Sequence, residues 1–419
     1  MIEKLLEFIK NHPKLVVAQD FEFACQKTQI QRQQYWNGQK GIQSFDDSWW
    51  AQLKILHRNK PGIAVASALT EETLDRLVTE ALMSAEQSTP DPWFRFPVWS
   101  PRAENREQEK SEAPPESFWN SCYGLLGDTR LSFQEWYEWR EIDTVLFRRS
   151  ERVQKTSRHS AAFQQWSLGK CHETFWGLEN RKERIDRLKN AVFSLENAIN
   201  WERPLPSIIS LSGRAASPLL QQVSNWFHGK RVKEGNSPVS NYQENPLVMS
   251  KLVTLVDDGS QIKTAFSGPF DLDGIPRQRT TLIQNGVFKS PLHDSYTGAM
   301  DNCRSTGNRM RPPEELEPKL RAKAICLEPG TVAPNLIWKQ QGQGLALEGW
   351  TRLSFSSDHH LEGDAFGWQM EGGVPVRPVR IEGLKWDLIH LMNKVVLVAN
   401  DSERHGFSVC PSVFVQGAL

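Results

Sequence analysis

Apolar residues recur at helical spacing from the start of the chain. Ile2, Leu5, Leu6 and Ile9 share one face and predict a short amphipathic helix over residues 2–10. Residues 15–35 alternate weakly, which predicts strands. Residues 53–57 and 63–67 bracket the turn sequence Asn59-Lys60-Pro61-Gly62 and read as strand, turn, strand. Thr70 is placed to cap a helix, with Glu71 and Glu72 in its positive first turn. Leu74, Leu77, Val78, Ala81, Leu82 and Ala85 form its buried stripe, and Pro90 and Pro92 stop it. Residues 102–117 are charged, lack apolar period and read as an exposed loop. Residues 142–147 and 153–157 predict strands joined by the basic turn Arg148-Arg149, more simply a solvated turn than an anion site. Residues 178–201 predict a long helix with Ile185, Leu188, Val192, Leu195 and Ile199 inward and its Arg, Lys and Glu residues facing solvent.

Residues 208–211 read as a buried strand followed by a helix carrying Ala215, Ala216, Leu219, Leu220, Val223, Trp226 and Phe227, with Pro218 in its first turn. A polar segment, 229–245, follows, and strands are predicted at 253–256 and 264–266. In residues 266–311 turn, strand and polar signals agree most closely. Phe270-Asp271-Leu272-Asp273-Gly274 is an acidic turn whose glycine can take positive φ. Residues 280–283 form a strand, Asn285-Gly286 a tight hairpin turn, and Val287-Phe288 the return. Ser305-Thr306-Gly307-Asn308 offers two hydroxyls, an amide and a flexible glycine with no hydrophobic purpose, which suits a loop that bonds a peptide backbone. Short strands are predicted at 324–327, 336–339, 352–355, 367–370, 374–381, 395–399 and 412–415, with one short helix through Leu384, Leu388, Leu391 and Met392. The fold class that follows is α+β: an N-terminal α/β domain over residues 1–203, then a mostly antiparallel, barrel-like β domain over residues 204–419.

Composition narrows the functions. At 419 residues the chain is too long for one ordinary core. Lys plus Arg equals Asp plus Glu at 50 each, so the chain lacks the positive excess that phosphate binding needs, and no nucleic-acid partner is expected. Its apolar runs fall far short of a bilayer span, and the N-terminal residues mix acids and bases rather than forming a secretory signal. A cytoplasmic protein with no membrane partner is expected. Cys25, Cys122, Cys171, Cys303, Cys326 and Cys410 show no C-x-x-C spacing and read as reduced, mostly buried thiols. Sixteen tryptophans, many in the first half, read as core and interface residues before they read as a binding groove.

Catalytic motifs are scarce. The ten histidines include no pair at i,i+3, i,i+4 or i,i+5. His172-Glu173 has Gly177 where a second ligand is needed. His359 and His360 point to opposite sides if extended, so Asp358-His359-His360 reads as loop surface. There is no G-x-S-x-G elbow, Walker loop or Rossmann fingerprint.

The FD-x-x-G-x-P loop, the strand, the N-G-V hairpin, the D-x-Y-T segment and the closing S-T-G-N together resemble the TldD/TldE (PmbA) peptidase family, the TldE/PmbA half more than TldD. Residues 62–97, in which a helix ends before Pro90-Asp91-Pro92, and the tail from residue 363 onward are similar to it too; the likeness is weak before residue 60 and over 100–175. The resemblance implies a TldD–TldE heterodimer that cleaves unfolded or small peptides. In TldD the helix after the strand at 208–211 carries His-Glu-x-x-x-His, whose imidazoles share zinc while the glutamate serves as base. Here those positions read Leu220-Gln221-Gln222-Val223-Ser224-Asn225, with no His, Glu or Cys. The resemblance therefore implies a non-catalytic TldE/PmbA-like subunit with no catalytic residue, metal or cofactor of its own. Zinc is expected on a TldD-like catalytic partner, and unfolded peptide is the expected substrate. Asp271, Gly274, Ser305, Thr306, Gly307 and Asn308 match the TldE pattern as cleft-lining or hairpin-fixing residues. An active peptidase with an unrecognised site and a stand-alone peptide-binding or scaffold protein stay open, as does a homodimer when no partner is present.

Overall fold

A computed structural model describes every residue except Met1, Val98, 100–114, Asp128, Arg152, 178–180, 244–245, 260–267, 313–314 and 418–419. The strand expected at 264–266 and most of the loop expected at 102–117 lie outside the described residues.

Helix α1 (Ile2–Lys10) leads into β1 (Asp20–Trp36), β2 (Gln39–His57) and β3 (Lys60–Ala66), then α2 (Glu71–Gln87), then β4 (Phe133–Arg148), β5 (Val153–Leu168) and β6 (Cys171–Trp176). The strands form one sheet in the order β3-β2-β1-β4-β5-β6, and every neighbouring pair is antiparallel. The first half is therefore an antiparallel sheet with helices on one face, not the α/β domain expected. The helix after β3 fits a crossover unit, but the chain returns from it to an antiparallel partner. Thr70 caps α2 by accepting from Thr73 N at 3.2 Å, and the helix ends before Pro90 as its sequence predicts. Leu74, Leu77, Val78, Ala81 and Ala85 pack on Phe21, Phe23, Leu53 and Ile55 of the sheet. The strands run longer than expected because β2 carries exposed polar residues over most of its first ten positions, which hides its period.

Arg148, expected in a solvated turn, is buried and ion-paired to Glu22, with its guanidinium over the Trp99 ring at 4.3 Å from the centroid. Helix α3 (Arg181–Glu196) is shorter than predicted. Ile199 is exposed and belongs to β7 (Ile199–Asn200), which pairs with the later strand residues Val379 and Arg380; its apolar side chain falls in the helical stripe by coincidence of spacing. The charged face of α3 is also not wholly solvated. Arg184 is buried with its Nη1 2.7 Å from Glu173, and Arg214 lies 2.8 Å from the other oxygen of that carboxylate.

The second half runs β8 (Ile208–Leu211), α4 (Gly213–Ser224), α5 (Gly229–Lys233), β9 (Leu255–Asp257), β10 (Thr280–Gln284), β11 (Val287–Phe288), α6 (Ser295–Met300), β12 (Arg309–Met310), β13 (Lys319–Leu320) and β14 (Ile325–Leu327). It continues through α7 (Pro334–Gln341), β15 (Gly344–Phe355), β16 (His360–Glu371), β17 (Val374–Asp387), α8 (Leu388–Asn393), β18 (Val395–Val398), β19 (Glu403–His405), β20 (Ser408–Cys410) and β21 (Val413–Gln416). Two sheets result, in the orders β11-β10-β9-β14-β20-β19 and β18-β21-β8-β15-β16-β17-β7, besides the small β12-β13 ladder. Among the described residues neither order closes on itself; most neighbouring pairs are antiparallel as expected, but β8·β15, β14·β20 and β7·β17 are parallel, so these are open mixed sheets rather than a closed barrel. The whole is a mixed α+β fold with several sheets.

Several local expectations change, among them Leu384, which lies in β17 and not in the short helix α8. Residues 336–339, read as a strand, lie in α7, which Pro334 starts and Gly342 (φ 77°) ends; four apolar-rich residues cannot distinguish the two periods. Helix α6 was not expected, although Asp294 and Thr297 form its capping box. Pro218 lies in the second turn of α4, not its first. Helix α4 packs through Ala215, Ala216, Leu219, Leu220 and Val223 into the largest core, with Ile209, Leu211, Leu345 and Leu347 of the sheet.

Candidate functional site

A groove of about 700 Å³ opens at the C-terminal end of α4. Gln221 and Ser224 of that helix and Asn225, which caps it, form one wall, with His228 just beyond; Asp294, Tyr296 and Thr297 at the start of α6 and Lys319, Leu320 and Arg321 at β13 complete it. The helix positions this wall simply: its apolar stripe is buried, which leaves Gln221 and Ser224 at the opening. Gln221 Nε2 bonds Ser217 Oγ and the His405 carbonyl at 3.3 Å each, which fixes the amide at the base. Ser224 Oγ donates to the Gln221 carbonyl at 2.7 Å. Burial holds the His228 imidazole below its ordinary pKa. Tyr296 at the rim donates its hydroxyl to Asp91 at 3.0 Å, so the segment after α2 reaches the groove from the first half.

This wall tests the metal that a His-Glu-x-x-x-His helix would carry. Leu220 is buried in the core and Asn225 is exposed, so the two ends of the motif point apart. Moving the frame by one residue, to Gln221 through Trp226, still supplies no imidazole, thiol or carboxylate. Amides and a hydroxyl are poor zinc donors, and this wall does not fit the ion. Burial raises the Cys410 pKa well above its usual value and pushes Cys326 up to about 12, which disfavours the thiolate at both. The groove can offer hydrogen bonds and charge to a ligand. It presents amides, hydroxyls, the His228 imidazole and the charges of Lys230, Lys319, Arg321 and Asp294 beside the apolar Leu320, Ala322, Ile325 and Phe407.

The six residues predicted as site candidates lie elsewhere, and none lines this groove. Asp271 and Gly274 sit where the acidic turn meets the first sheet. The Asp271 carboxylate accepts from Asp273 N, Ile275 N and Arg309 N at 2.9, 3.0 and 3.0 Å, so it ties the turn to β12. Burial and the neighbouring Asp273 charge push its pKa upward, while Lys54 and Arg309 hold Asp273 far below the carboxylate range in spite of burial. Gly274 has φ of 73°, and a Cβ there would stand 2.4 Å from Trp99 Nε1. Its carbonyl accepts from Lys155 Nζ at 3.0 Å.

Most polar atoms of Ser305 to Asn308 bond within the protein, while Asn308 Oδ1 is buried without a hydrogen-bond partner among the described residues. Ser305 Oγ and Thr306 Oγ1 both reach the His293 carbonyl, at 3.1 and 3.0 Å, and Thr306 Oγ1 accepts from His293 N at 2.8 Å. Gly307 has φ of 72°, and a Cβ there would lie 2.7 Å from the Pro276 carbonyl. Asn308 is fully buried; its amide donates to Asp257 Oδ2 at 2.5 Å and to the Arg321 carbonyl at 3.0 Å. These bonds place Arg321, a groove residue, from behind. The groove is not visible in the sequence because its residues come from four separate segments; the signal that could have found it was the polar trio Gln221, Ser224 and Asn225 at the end of α4.

The profile of the PmbA/TldA metallopeptidase C-terminal domain matches residues 208–418, half of the chain, and the chain belongs to the PmbA/TldD metallopeptidase family. It is 26% identical over 237 residues to a metalloprotease TldD homolog of Buchnera aphidicola subsp. Schizaphis graminum, covering 55% of this chain and 49% of that one. It is also 26% identical over 166 residues to a metalloprotease TldD homolog of Haemophilus influenzae, covering 39% and 34%. The matches thus span half or less of these relatives' own length. Among solved structures, TldE from Thermococcus kodakarensis superposes with a TM-score of 0.77 at 15% identity, over 99% of this chain and 98% of that one. A Thermotoga maritima protein, described provisionally as a modulator of a DNA gyrase, gives 0.78 at 18%, over 99% of both. At these identities the structures establish the fold. No helix among the described residues is long and apolar enough to cross a membrane.

Proposed function

We propose that this chain is the non-catalytic, TldE/PmbA-like subunit of a two-component peptidase that acts on unfolded or small peptides. The observation that carries the reading is the end of α4. There the fold keeps a groove of about 700 Å³, large enough for several peptide residues, while the wall that would hold zinc presents Gln221, Ser224 and Asn225. A TldD-like partner would supply the metal and its activated water. This chain would hold an extended peptide by hydrogen bonds from amides and hydroxyls to its backbone, which suits substrates of varied sequence. The fold-level likeness to TldE supports the same choice, although the curated relatives named for their function are TldD homologs. Neither a nucleic-acid nor a membrane role is proposed, and the cytoplasm suits the unpaired thiols.

Mixing the purified chain with a TldD-like subunit tests this by size-exclusion chromatography with light scattering and by turnover of an unstructured peptide. A stable heteromeric peak, with activity only when both chains are present, is expected. Separate elution at micromolar concentration, together with peptide cleavage by this chain alone, would replace the reading by an active peptidase. Separate elution, with peptide binding but no cleavage, would make it a stand-alone peptide-binding protein.

A further inference from the structure

On the far side of the same helix end, the tip of the β15–β16 hairpin brings together His359, His360 and Asp387. One ligand atom from each lies within 4.8 Å of the other two. The expectation that the two histidines diverge fails because His359 stands in the bend before β16, where strand alternation has not begun. The two imidazole centroids are 4.2 Å apart. His360 pairs with Asp387 across the β16–β17 ladder, and its Nε2 lies 3.5 Å from Asp387 Oδ2.

We infer that His359, His360 and Asp387 form a surface site for a divalent ion of the zinc class, separate from the groove and independent of the function proposed above. Two imidazoles and one carboxylate are the donor set that borderline ions such as Zn²⁺, Ni²⁺ and Cu²⁺ prefer, with water completing the coordination. The supporting contacts suit ligands. Ser357 Oγ holds His360 Nδ1 at 3.1 Å, which leaves Nε2 directed at Asp387. Asp387 Oδ1 is already engaged by Ile389 N and His390 N at 2.7 and 3.0 Å, so Oδ2 is the atom left for a metal. The backbone beneath is fixed too, since Leu388 N donates to the His359 carbonyl at 2.7 Å. Bonds of about 2.0–2.1 Å need the three atoms closer than they stand, and rotation of these partly exposed side chains supplies that contraction without moving the ladder.

A bound ion would act as a clasp. The preceding residue, Asp358, takes Trp226 Nε1 on its carbonyl at 2.8 Å and pairs its carboxylate with Arg231. Trp226 follows α4 directly, so joining the hairpin tip to the start of α8 stiffens the support behind His228 and the groove wall. The open side of the site is lined by Glu362, Lys385 and His390.

The test is titration of the metal-stripped full chain with Zn²⁺ alone, by calorimetry and by competition with a chromogenic chelator. One ion per chain at micromolar affinity is expected. His359→Ala and His360→Ala should each weaken it by at least tenfold, and Ser357→Ala by roughly tenfold, the usual effect of losing a group that orients a ligand. His172→Ala, on β6 and away from the cluster, should leave it unchanged. The ring protons of His359 and His360 should be the ones that shift on adding zinc. Absence of saturable binding below millimolar zinc, or binding that survives the His359→Ala/His360→Ala double variant with circular dichroism unchanged, would overturn the site.

Discussion

Asp273 lies 2.6 Å from the Nζ of Lys54, and through that contact the acidic turn of the second half is anchored in the first sheet. Both groups are buried, and the network extends from them: Lys54 also meets Glu22 at 3.0 Å, Arg309 meets Asp273 at 2.8 Å, and Trp99 Nε1 donates to the Asp273 carbonyl at 2.8 Å. The two halves of the chain are thus joined by an ionic knot with apolar walls. Such a knot contributes registry more than net stability, because desolvation offsets most of its Coulomb energy, but breaking one partner strands a charge.

Lys54→Met is therefore expected to destabilise the chain by about 3 kcal/mol or more, since it leaves Glu22 and Asp273 sharing only arginines. Urea unfolding followed by tryptophan fluorescence measures this. A loss below about 0.5 kcal/mol would mean that the Lys54 ion pairs contribute little to holding the halves together.

Gly274→Ala tests the turn itself. The left-handed backbone costs an alanine about 1 kcal/mol, and the added methyl meets the Trp99 indole. A drop in Tm of several degrees is expected, with the Trp99 emission shifted to the red as the indole loosens. Gly372→Ala, also at positive φ but with nothing near its Cβ, supplies the comparison and should cost less.

Glu403 gives a prediction in pH. Burial raises its pKa, but the hydrogen bond and charge of His405, 2.8 Å away, and the charge of Arg187 outweigh burial and bring it to about 2. A carboxyl held lower in the folded state stabilises fully above its unfolded value of about 4.3 and loses that contribution as pH falls toward the folded value. Glu403→Gln should remove a contribution on the order of 2 kcal/mol at neutral pH, and the variant's stability should fall less steeply between pH 4.5 and 2. Parallel pH profiles for variant and parent would show that the pairing with His405 and Arg187 adds nothing.

What the sequence showed and what it hid divide along physical lines. The α2 cap, the β10–β11 hairpin and the α4 stripe depend on neighbours within a few residues, and they were legible. The absence of imidazole, thiol and carboxylate from Leu220 to Asn225 was legible as well. The antiparallel closure of the first sheet was not, because β1 pairs with β4 across about a hundred residues and nothing local records it. Asp271 and Asn308 were picked out as polar residues without an apolar role. That role is internal: polarity in a loop signals an unmet hydrogen bond, and sequence does not say whether a ligand or the protein itself meets it. The His359, His360 and Asp387 cluster was hidden for the same reason, since its carboxylate arrives from the end of the next strand.

The groove prediction follows from where its wall stands. Ser224 is half-buried, its only described side-chain bond is to the Gln221 carbonyl one turn back, and it faces the cavity. Ser224→Trp should cost about 1 kcal/mol or less in folding, since a single neutral hydrogen bond is lost at a solvent-facing position. The indole would then occupy part of the groove. Binding of a labelled unstructured peptide, measured by fluorescence anisotropy on the chain alone and on its complex, is expected to weaken by roughly tenfold or more, the equivalent of about 1.4 kcal/mol. Asn308→Ala separates this effect from general damage. It removes a buried donor from Asp257 and should lower Tm, leaving peptide affinity of the folded fraction within about twofold at low temperature. If Ser224→Trp binds peptide like the parent while Asn308→Ala loses binding without loss of Tm, the peptide lies against the 305–308 loop and not in the groove at the end of α4.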